Sequence, residues 1–217
     1  GGTRALGSAV WLMSVFSAEE LTALLVLSTA TSFTPGPNTA LSAAIAANQG
    51  LRAALKFIVA VPIGWGLLLT LCMVGVGQLV LAIPALRWLI LLGGTSYLLW
   101  LAFKLWGASQ LAEADSKRLN ITFFQGVAVQ FLNIKAWMMA LSLVAGWVIG
   151  KENALERCLV LLPLMMAYGL CSNMTYALVG SLLRDWLSHG RRLLVFNRIM
   201  AFALVMTALW MFQTGRL

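Results

Sequence analysis

A single lysine, Lys135, lies near the middle of residues 119–150, a run with no other Asp, Glu, Lys or Arg. An ionisable side chain in such apolar surroundings costs at least a few kcal/mol, which makes it a functional candidate. Asn133 and Gln130 add polar groups near it, and Trp137 could form one wall of a site. An ammonium group beside amides suits a carboxylate ligand. Because burial disfavours the charged form of a lysine, Lys135 is also the candidate for proton coupling.

A second set of residues, the stretch TPGPN at 34–38, interrupts another long uncharged run. Pro35 and Pro37 remove backbone donors and push the residues before them away from helical geometry. In lipid each orphaned carbonyl costs several kcal/mol, so the break must face protein or water. A new half-helix capped by Asn38 or Thr39 would present free amides to an anion. The predicted substrate-binding residues are Pro35, Gly36, Pro37, Asn38, Gln130, Asn133, Lys135 and Trp137.

Membrane-spanning helices are the elements that must position these residues. The chain is 61% hydrophobic and 10% charged, whereas about a quarter of a soluble domain is charged. A spanning helix needs about 20 mostly apolar residues, and six such segments occur. The predicted fold class is therefore an all-α integral membrane protein with six transmembrane helices. The segments cover residues 20–48, 57–82, 87–106, 120–149, 158–183 and 195–213, with short connections that include 51–56, 113–118 and 151–157.

Two of these segments are too long for simple spans. At about 1.5 Å per residue, residues 21–51 and 119–150 would each form a helix of about 45 Å, beyond a hydrocarbon core of about 30 Å. Their interruptions at Asn38 and Asn133 lie 95 residues apart, near half the chain length. Two three-helix halves in series have opposite orientations, because three is odd. This predicts a 3+3 inverted repeat with its binding site at the interrupted helices.

The helix breaks are expected to differ in the two halves. The first helix is predicted to be broken at residues 34–38. Whether the fourth helix is also broken is left open, because Ile134 can continue a helix where a proline could not. One membrane domain is expected over residues 18–217, with repeats at about 18–107 and 119–213.

The two ends of the chain are expected to lie on the same side of the membrane. Residues 1–17 are expected to be an N-terminal extension, either added sequence or an upstream start before Met13. Nine Lys and Arg side chains follow the first, third and fifth segments, and five lie on the opposite side. Positive-inside bias therefore places both termini outside the cytoplasm.

Several other classes of protein find no support in the sequence. The net charge of +8 is not gathered into a basic patch with exposed aromatics, so no nucleic-acid partner is expected. Cys72, Cys158 and Cys171 have no CxxC spacing, which argues against a metal site or disulfide framework. No catalytic triad, phosphate-binding loop or HExxH motif appears, so neither an enzyme nor a cofactor is predicted. The GxxxG at 146–150 is a weak indication of a homodimer.

The chain resembles the LysE-type amino-acid exporter superfamily, which includes the homoserine/threonine (RhtB-type) branch. The resemblance spans about residues 15–212 and is carried by TPGPN, NQGLRAALKF and QFLNIKAW. Family members typically read Asn-Pro-Lys where this chain has Asn133, Ile134 and Lys135, and branches similar to the cysteine and O-acetylserine exporter also lack that proline. GPN in the first motif, and CSNMTYALVG at 171–180, are similar to the cysteine and O-acetylserine exporter branch. The resemblance implies export of small amino acids from the cytoplasm across the bacterial inner membrane, driven by the proton gradient.

The predicted function is secondary transport by proton antiport and alternating access, with a small amino acid, protons and the lipid bilayer as partners. Two alternatives remain open. A passive channel or membrane scaffold would have the same spans without coupling. A membrane thiol–disulfide electron carrier would need cysteines at the breaks, where this chain has Asn38 and Asn133. The absence of acidic residues within the spans disfavours a substrate with a cationic side chain.

Overall fold

A computed structural model describes residues 14–107 and 121–214, and it contains only helices and the turns that join them in these residues. Helices are the expected outcome for long apolar runs, because they satisfy backbone groups within one segment. The all-α prediction is confirmed. The helices are α1 (Ala18–Phe33), α2 (Pro37–Gln49), α3 (Leu51–Met73), α4 (Val76–Ala82), α5 (Pro84–Trp106), α6 (Phe123–Leu132), α7 (Ile134–Trp147), α8 (Ala154–Leu182), α9 (Arg184–Leu187) and α10 (Arg192–Thr214).

The helix lengths fit a multi-pass membrane protein. Among the described residues, α3, α5, α8 and α10 are each long and apolar enough to cross a membrane. The pair α6 and α7 meets at an angle of 67° and together makes a fifth candidate, a broken span. The first predicted span corresponds to α1 and α2, with 16 and 13 residues, separated at residues 34–36. Length and composition therefore support four or five of the six predicted spans.

Several predicted boundaries were wrong. Residues 51–56, predicted as a connection, form the first turns of α3, because Gly50 alone turns the chain with φ of 88°. Such a φ strongly favours glycine. The second predicted span ends early at Met73, because Gly75 has φ of 91° and separates α3 from α4. The predicted connection at 113–118 lies outside the described residues.

Helix α2 lies at the centre of the bundle. It packs against α3, α8 and α10, and most of its residues are buried, whereas only Leu24 and Ser28 are buried in α1. Its alanine-rich surface permits close approach of neighbouring helices. A Cβ built on Gly180 of α8 would lie 2.3 Å from the Ala43 carbonyl oxygen. No side chain larger than hydrogen fits there.

Helices α3 and α6 approach just as closely. A Cβ built on Gly64 of α3 would lie 2.7 Å from the Val127 carbonyl oxygen and 2.8 Å from Gln130 Cγ. This contact fixes the position of α6, and with it the Gln130 side chain, against the core.

Replacing Gly64 should therefore destabilise the fold. We expect Gly64→Ala to cost about 1–3 kcal/mol, because the added methyl group overlaps backbone atoms that cannot move independently. The measurement is the melting temperature in detergent. Gly146→Ala is the matched control, because a Cβ built on Gly146 has no other atom within 4 Å. Equal melting temperatures for the two variants would contradict the close contact.

A network of charged groups joins the beginning of α1 to α8. Glu20 accepts from Lys151 at 2.7 Å and from Arg157 at 2.8 Å. Arg157, predicted to lie in a connection, is instead buried in α8 and also donates to the Trp147 carbonyl. The Trp147 indole donates to the Glu20 carbonyl at 3.0 Å. A buried guanidinium requires such partners, because a lone buried charge is strongly destabilising.

We expect Glu20→Gln to lower thermal stability by about 2 kcal/mol, because Arg157 would remain buried without its carboxylate. Glutamine can still accept the Ser17 N–H of the helix cap, so the change isolates the ionic contact. Glu19→Gln, the same change on an exposed neighbour, should leave stability unchanged. Equal effects of the two substitutions would show that the network does not stabilise the fold.

The packed structure begins before the predicted start of the domain at residue 18. Residues 1–13 and 215–217 lie outside the described residues. Val15 and Phe16 are buried, and Ser17 caps α1, so packing begins before residue 18.

The predicted dimer motif, GxxxG at 146–150, does not form one face of a helix. Helix α7 ends at Trp147, and Gly150 has φ of 74°. Gly146 and Gly150 therefore do not lie on one helix, as a GxxxG packing face requires.

Candidate functional site

The first break begins a new helix at Pro37, with Gly36 as its N-cap rather than Asn38 or Thr39 as predicted. Proline suits the first helical position because its missing N–H has no helical partner there. The Gly36 N–H donates to the Thr39 hydroxyl at 2.9 Å. On the other side of the break, the Phe33 carbonyl, deprived of a donor by Pro37, accepts from the Tyr176 hydroxyl at 2.9 Å.

The second break occurs at Asn133 and needs no proline. Asn133 adopts an extended conformation, with φ of −94° and ψ of 99°, and its side chain accepts from the Lys135 N–H at 3.1 Å. Asparagine is among the best N-cap residues for this reason. The Trp137 indole donates to the Phe131 carbonyl at 2.9 Å across the bend. The fourth predicted helix is therefore broken despite Ile134.

Polar side chains join the two breaks. Asn38 donates to Gln130 at 2.8 Å and Gln130 donates back at 3.1 Å. Gln130 is fully buried and also donates to the Gly126 carbonyl of its own helix. Lys135 lies beside the first break, since a Cβ built on Gly36 would be 3.4 Å from its Nζ atom. Two segments about 95 residues apart in sequence thus meet at one place.

A cavity of about 80 Å³ lies where the breaks meet. This space could hold several water molecules or a small solute, because one water needs about 10–15 Å³ by the same measure. Helix ends and side chains from α1, α2, α3, α7 and α8 line it. The lining residues are Thr31, Ser32, Thr34, Gly36, Pro37, Asn38, Thr39, Val61, Trp65, Asn133, Lys135, Ala136, Met139, Met165, Gly169, Ser172 and Asn173.

Five of the eight predicted binding residues line this cavity, and three do not. Gln130 and Trp137 are buried next to the breaks, where they bond to Asn38 and to the α6 backbone. Pro35 is exposed. The five that line the cavity are Gly36, Pro37, Asn38, Asn133 and Lys135.

Sequence reasoning missed the walls contributed by α3 and α8. Trp65 and Met165 line the cavity, and they follow the helix-interior prolines Pro62 and Pro163 by three and two residues. Because these prolines occupy corresponding points of the two halves, they could have indicated that the residues after them line the site. Asn173 lies in the stretch that carried the family resemblance, and it accepts from the Ser42 hydroxyl at 2.8 Å.

The charge of the cavity comes from one group. Lys135 is the only titratable side chain among the described residues that line it. Among the described residues, none of the acidic side chains lines the cavity. Glu20, for example, pairs with Lys151 and Arg157. The amides at the beginning of α2 add partial positive charge beside Lys135. The cavity is therefore suited to an anionic group.

We expect the Asn38–Gln130 pair to be energetically coupled. Asn38→Leu or Gln130→Leu alone leaves a largely buried amide without its partner, at a cost of about 1–3 kcal/mol. The double substitution should cost less than the sum of the two. Melting temperatures of the four proteins measure the coupling, with the exposed Gln78→Leu as a control. Additive effects would contradict a direct interaction.

The apolar spans and the cavity between broken helices, with its single cationic side chain among the described lining residues, define a multi-pass membrane protein of the transporter class. The LysE type translocator family matches residues 29–214, and the chain belongs to this family. The resemblance predicted from the sequence motifs is confirmed.

Relatives within the family are similar along most of their length. The Cysteine/O-acetylserine efflux proteins of Escherichia coli (strain K12), Salmonella typhimurium (strain LT2) and Shigella flexneri serotype 5b are each 28% identical over 183 residues. The similarity covers 84% of this chain and 92% of each relative. No solved structure is significantly similar to this chain.

Proposed function

We propose that this protein exports small amino acids with uncharged side chains from the bacterial cytoplasm by proton antiport. The observation that carries the proposal is the position of Lys135, whose ammonium group lies beside Gly36 at the beginning of α2, inside the cavity. An ammonium group and free helix amides attract the same ligand, a carboxylate. The efflux proteins named above make cysteine and O-acetylserine the first substrates to test.

The apolar part of the cavity lining favours a short, uncharged substrate side chain. Val61, Trp65, Met139 and Met165 provide an apolar surface with two polarisable sulfur atoms. Methionine adapts its shape to small ligands. No carboxylate occurs among the described lining residues, so a cationic side chain would find no counter-ion.

The proposed transport cycle uses six spans as a 3+3 inverted repeat, with α1 and α2 together forming the first span. The two halves would move relative to each other about the cavity and expose it alternately to each side. The bias of Lys and Arg towards one side supports an orientation with both termini in the periplasm. Proton coupling is assigned to Lys135, because it is the only titratable group among the described cavity-lining residues.

Counterflow of labelled cysteine into proteoliposomes tests the proposal. We expect Lys135→Met to reduce apparent affinity roughly 30-fold or more, the effect of losing about 2 kcal/mol from a charge-assisted bond. Lys56→Met, which removes a charge at an exposed position of α3, should transport normally. Amino-acid counterflow by the wild type that is unaffected by Lys135→Met would exclude this cavity as the binding site.

The coupling role of Lys135 needs a separate measurement. We expect an imposed pH gradient to drive uphill efflux by the wild type but not by Lys135→Arg, because arginine stays protonated throughout a cycle. Full coupled efflux by Lys135→Arg would rule out this lysine as the proton carrier. A passive channel would show no uphill movement in either protein.

A further inference from the structure

The last turn of α1 contains two carbonyls that have lost their helical donors. In a continuous helix, the carbonyls of Thr31 and Ser32 would accept from the N–H groups of residues 35 and 36. Pro35 has no N–H, and the Gly36 N–H is donated to the Thr39 hydroxyl at 2.9 Å. Thr31 and Ser32 both line the cavity.

The carbonyls on either side of this pair are satisfied within the protein. The Ala30 carbonyl accepts from the Thr34 N–H at 3.1 Å. The Phe33 carbonyl accepts from the Tyr176 hydroxyl at 2.9 Å. The unmatched acceptors of this turn are therefore confined to the two residues that border the cavity.

The chemistry of this end of α1 favours a cation with several N–H donors. Carbonyls at a helix C-terminus point along the axis, away from the helix, and carry partial negative charge. The Thr31 hydroxyl donates to the Leu27 carbonyl at 2.7 Å, so its oxygen is left as a further acceptor. Unpaired acceptors at a half-buried site require a donor from water or from a ligand.

One cavity is lined by Thr31, Ser32 and Lys135. Gly36 follows Ser32 by four residues, and a Cβ built on it would be 3.4 Å from Lys135 Nζ. The cationic and the carbonyl-lined parts of the cavity therefore adjoin across the break. An α-amino acid carries its ammonium and carboxylate groups on one carbon atom, so a single molecule could reach both parts.

We propose that the carbonyl oxygens of Thr31 and Ser32 bind the α-ammonium group of the substrate while Lys135 binds its carboxylate. This rests on the proposed function and adds the second contact needed to recognise a zwitterion. Transport is then restricted to molecules with a free α-ammonium group. The break in the first span supplies opposite partial charges on its two sides, negative at the end of α1 and positive at the start of α2.

Competition with labelled cysteine in proteoliposomes tests this assignment on the wild type. The probes are 3-mercaptopropionate, which lacks the ammonium group, and N-acetylcysteine, in which it is blocked, under reducing and sodium-free conditions. We expect each to compete roughly tenfold or more weakly than cysteine, the effect of one charge-assisted bond. Equal competition by 3-mercaptopropionate would overturn the ammonium site. A sodium requirement for cysteine binding would do so too, by assigning the carbonyls to a metal cation.

A variant separates the two halves of the site. Pro35→Ala restores an N–H that can satisfy the Thr31 carbonyl. It should therefore lower the apparent affinity for cysteine severalfold and leave that for 3-mercaptopropionate unchanged. Lys135→Met should lower the apparent affinity for both compounds. Pro84→Ala is the control, because Pro84 is an exposed residue at the start of α5, outside the cavity. Equal weakening of both compounds by Pro35→Ala would contradict the assignment.

Failure of the proposed function gives a different result. If neither cysteine nor O-acetylserine drives counterflow by the wild type, the transport proposal falls and the ammonium site falls with it. If cysteine is transported but the analogues compete as well as cysteine does, only the ammonium site is overturned.

Discussion

Every backbone carbonyl that loses its helical donor inside a membrane must find another, and this requirement governs the centre of the molecule. At the first break, Tyr176 of α8 supplies a hydroxyl to the Phe33 carbonyl. At the second, Trp137 supplies an indole N–H to the Phe131 carbonyl. Trp137, which was predicted to bind substrate, is thus committed to the backbone. In the last turn of α1, the two carbonyls left without a donor are those of Thr31 and Ser32, and both residues line the cavity.

The two breaks interrupt their helices by different chemistry. Pro35 and Pro37 prevent a continuous helix by removing two N–H groups. Asn133 instead offers its side chain as a competing acceptor for the Lys135 N–H, so the chain turns by 67° although Ile134 could have continued a helix. Asn38 and Gln130 then hold the two breaks against each other through two hydrogen bonds.

Sequence predicted the parts of this site that depend on local chemistry. The cost of Lys135 in an apolar run and the removal of donors by Pro35 and Pro37 can be read without coordinates, and both led to the cavity. The walls from Trp65 and Met165 could not be read, because apolar side chains in apolar helices look alike until their neighbours are known. The burial of Arg157 was missed for a related reason, since its partner Glu20 is 137 residues away.

Helix α1 belongs to the first half of the chain, but its polar contacts reach across to the second half. Ser28, Thr29 and Phe33 bond to α8, and Glu20 bonds to Arg157 in that helix. Helix α2 runs directly into α3 through Gly50, and it too contacts α8, through the Ser42–Asn173 hydrogen bond. Between α1 and α2 only residues 34–36 are non-helical, so a tilt of one helix against the other would bend the polypeptide there. The proposed ligand contacts at Thr31 and Ser32 adjoin this hinge, so a bound solute would stiffen the segment that has to flex for its release.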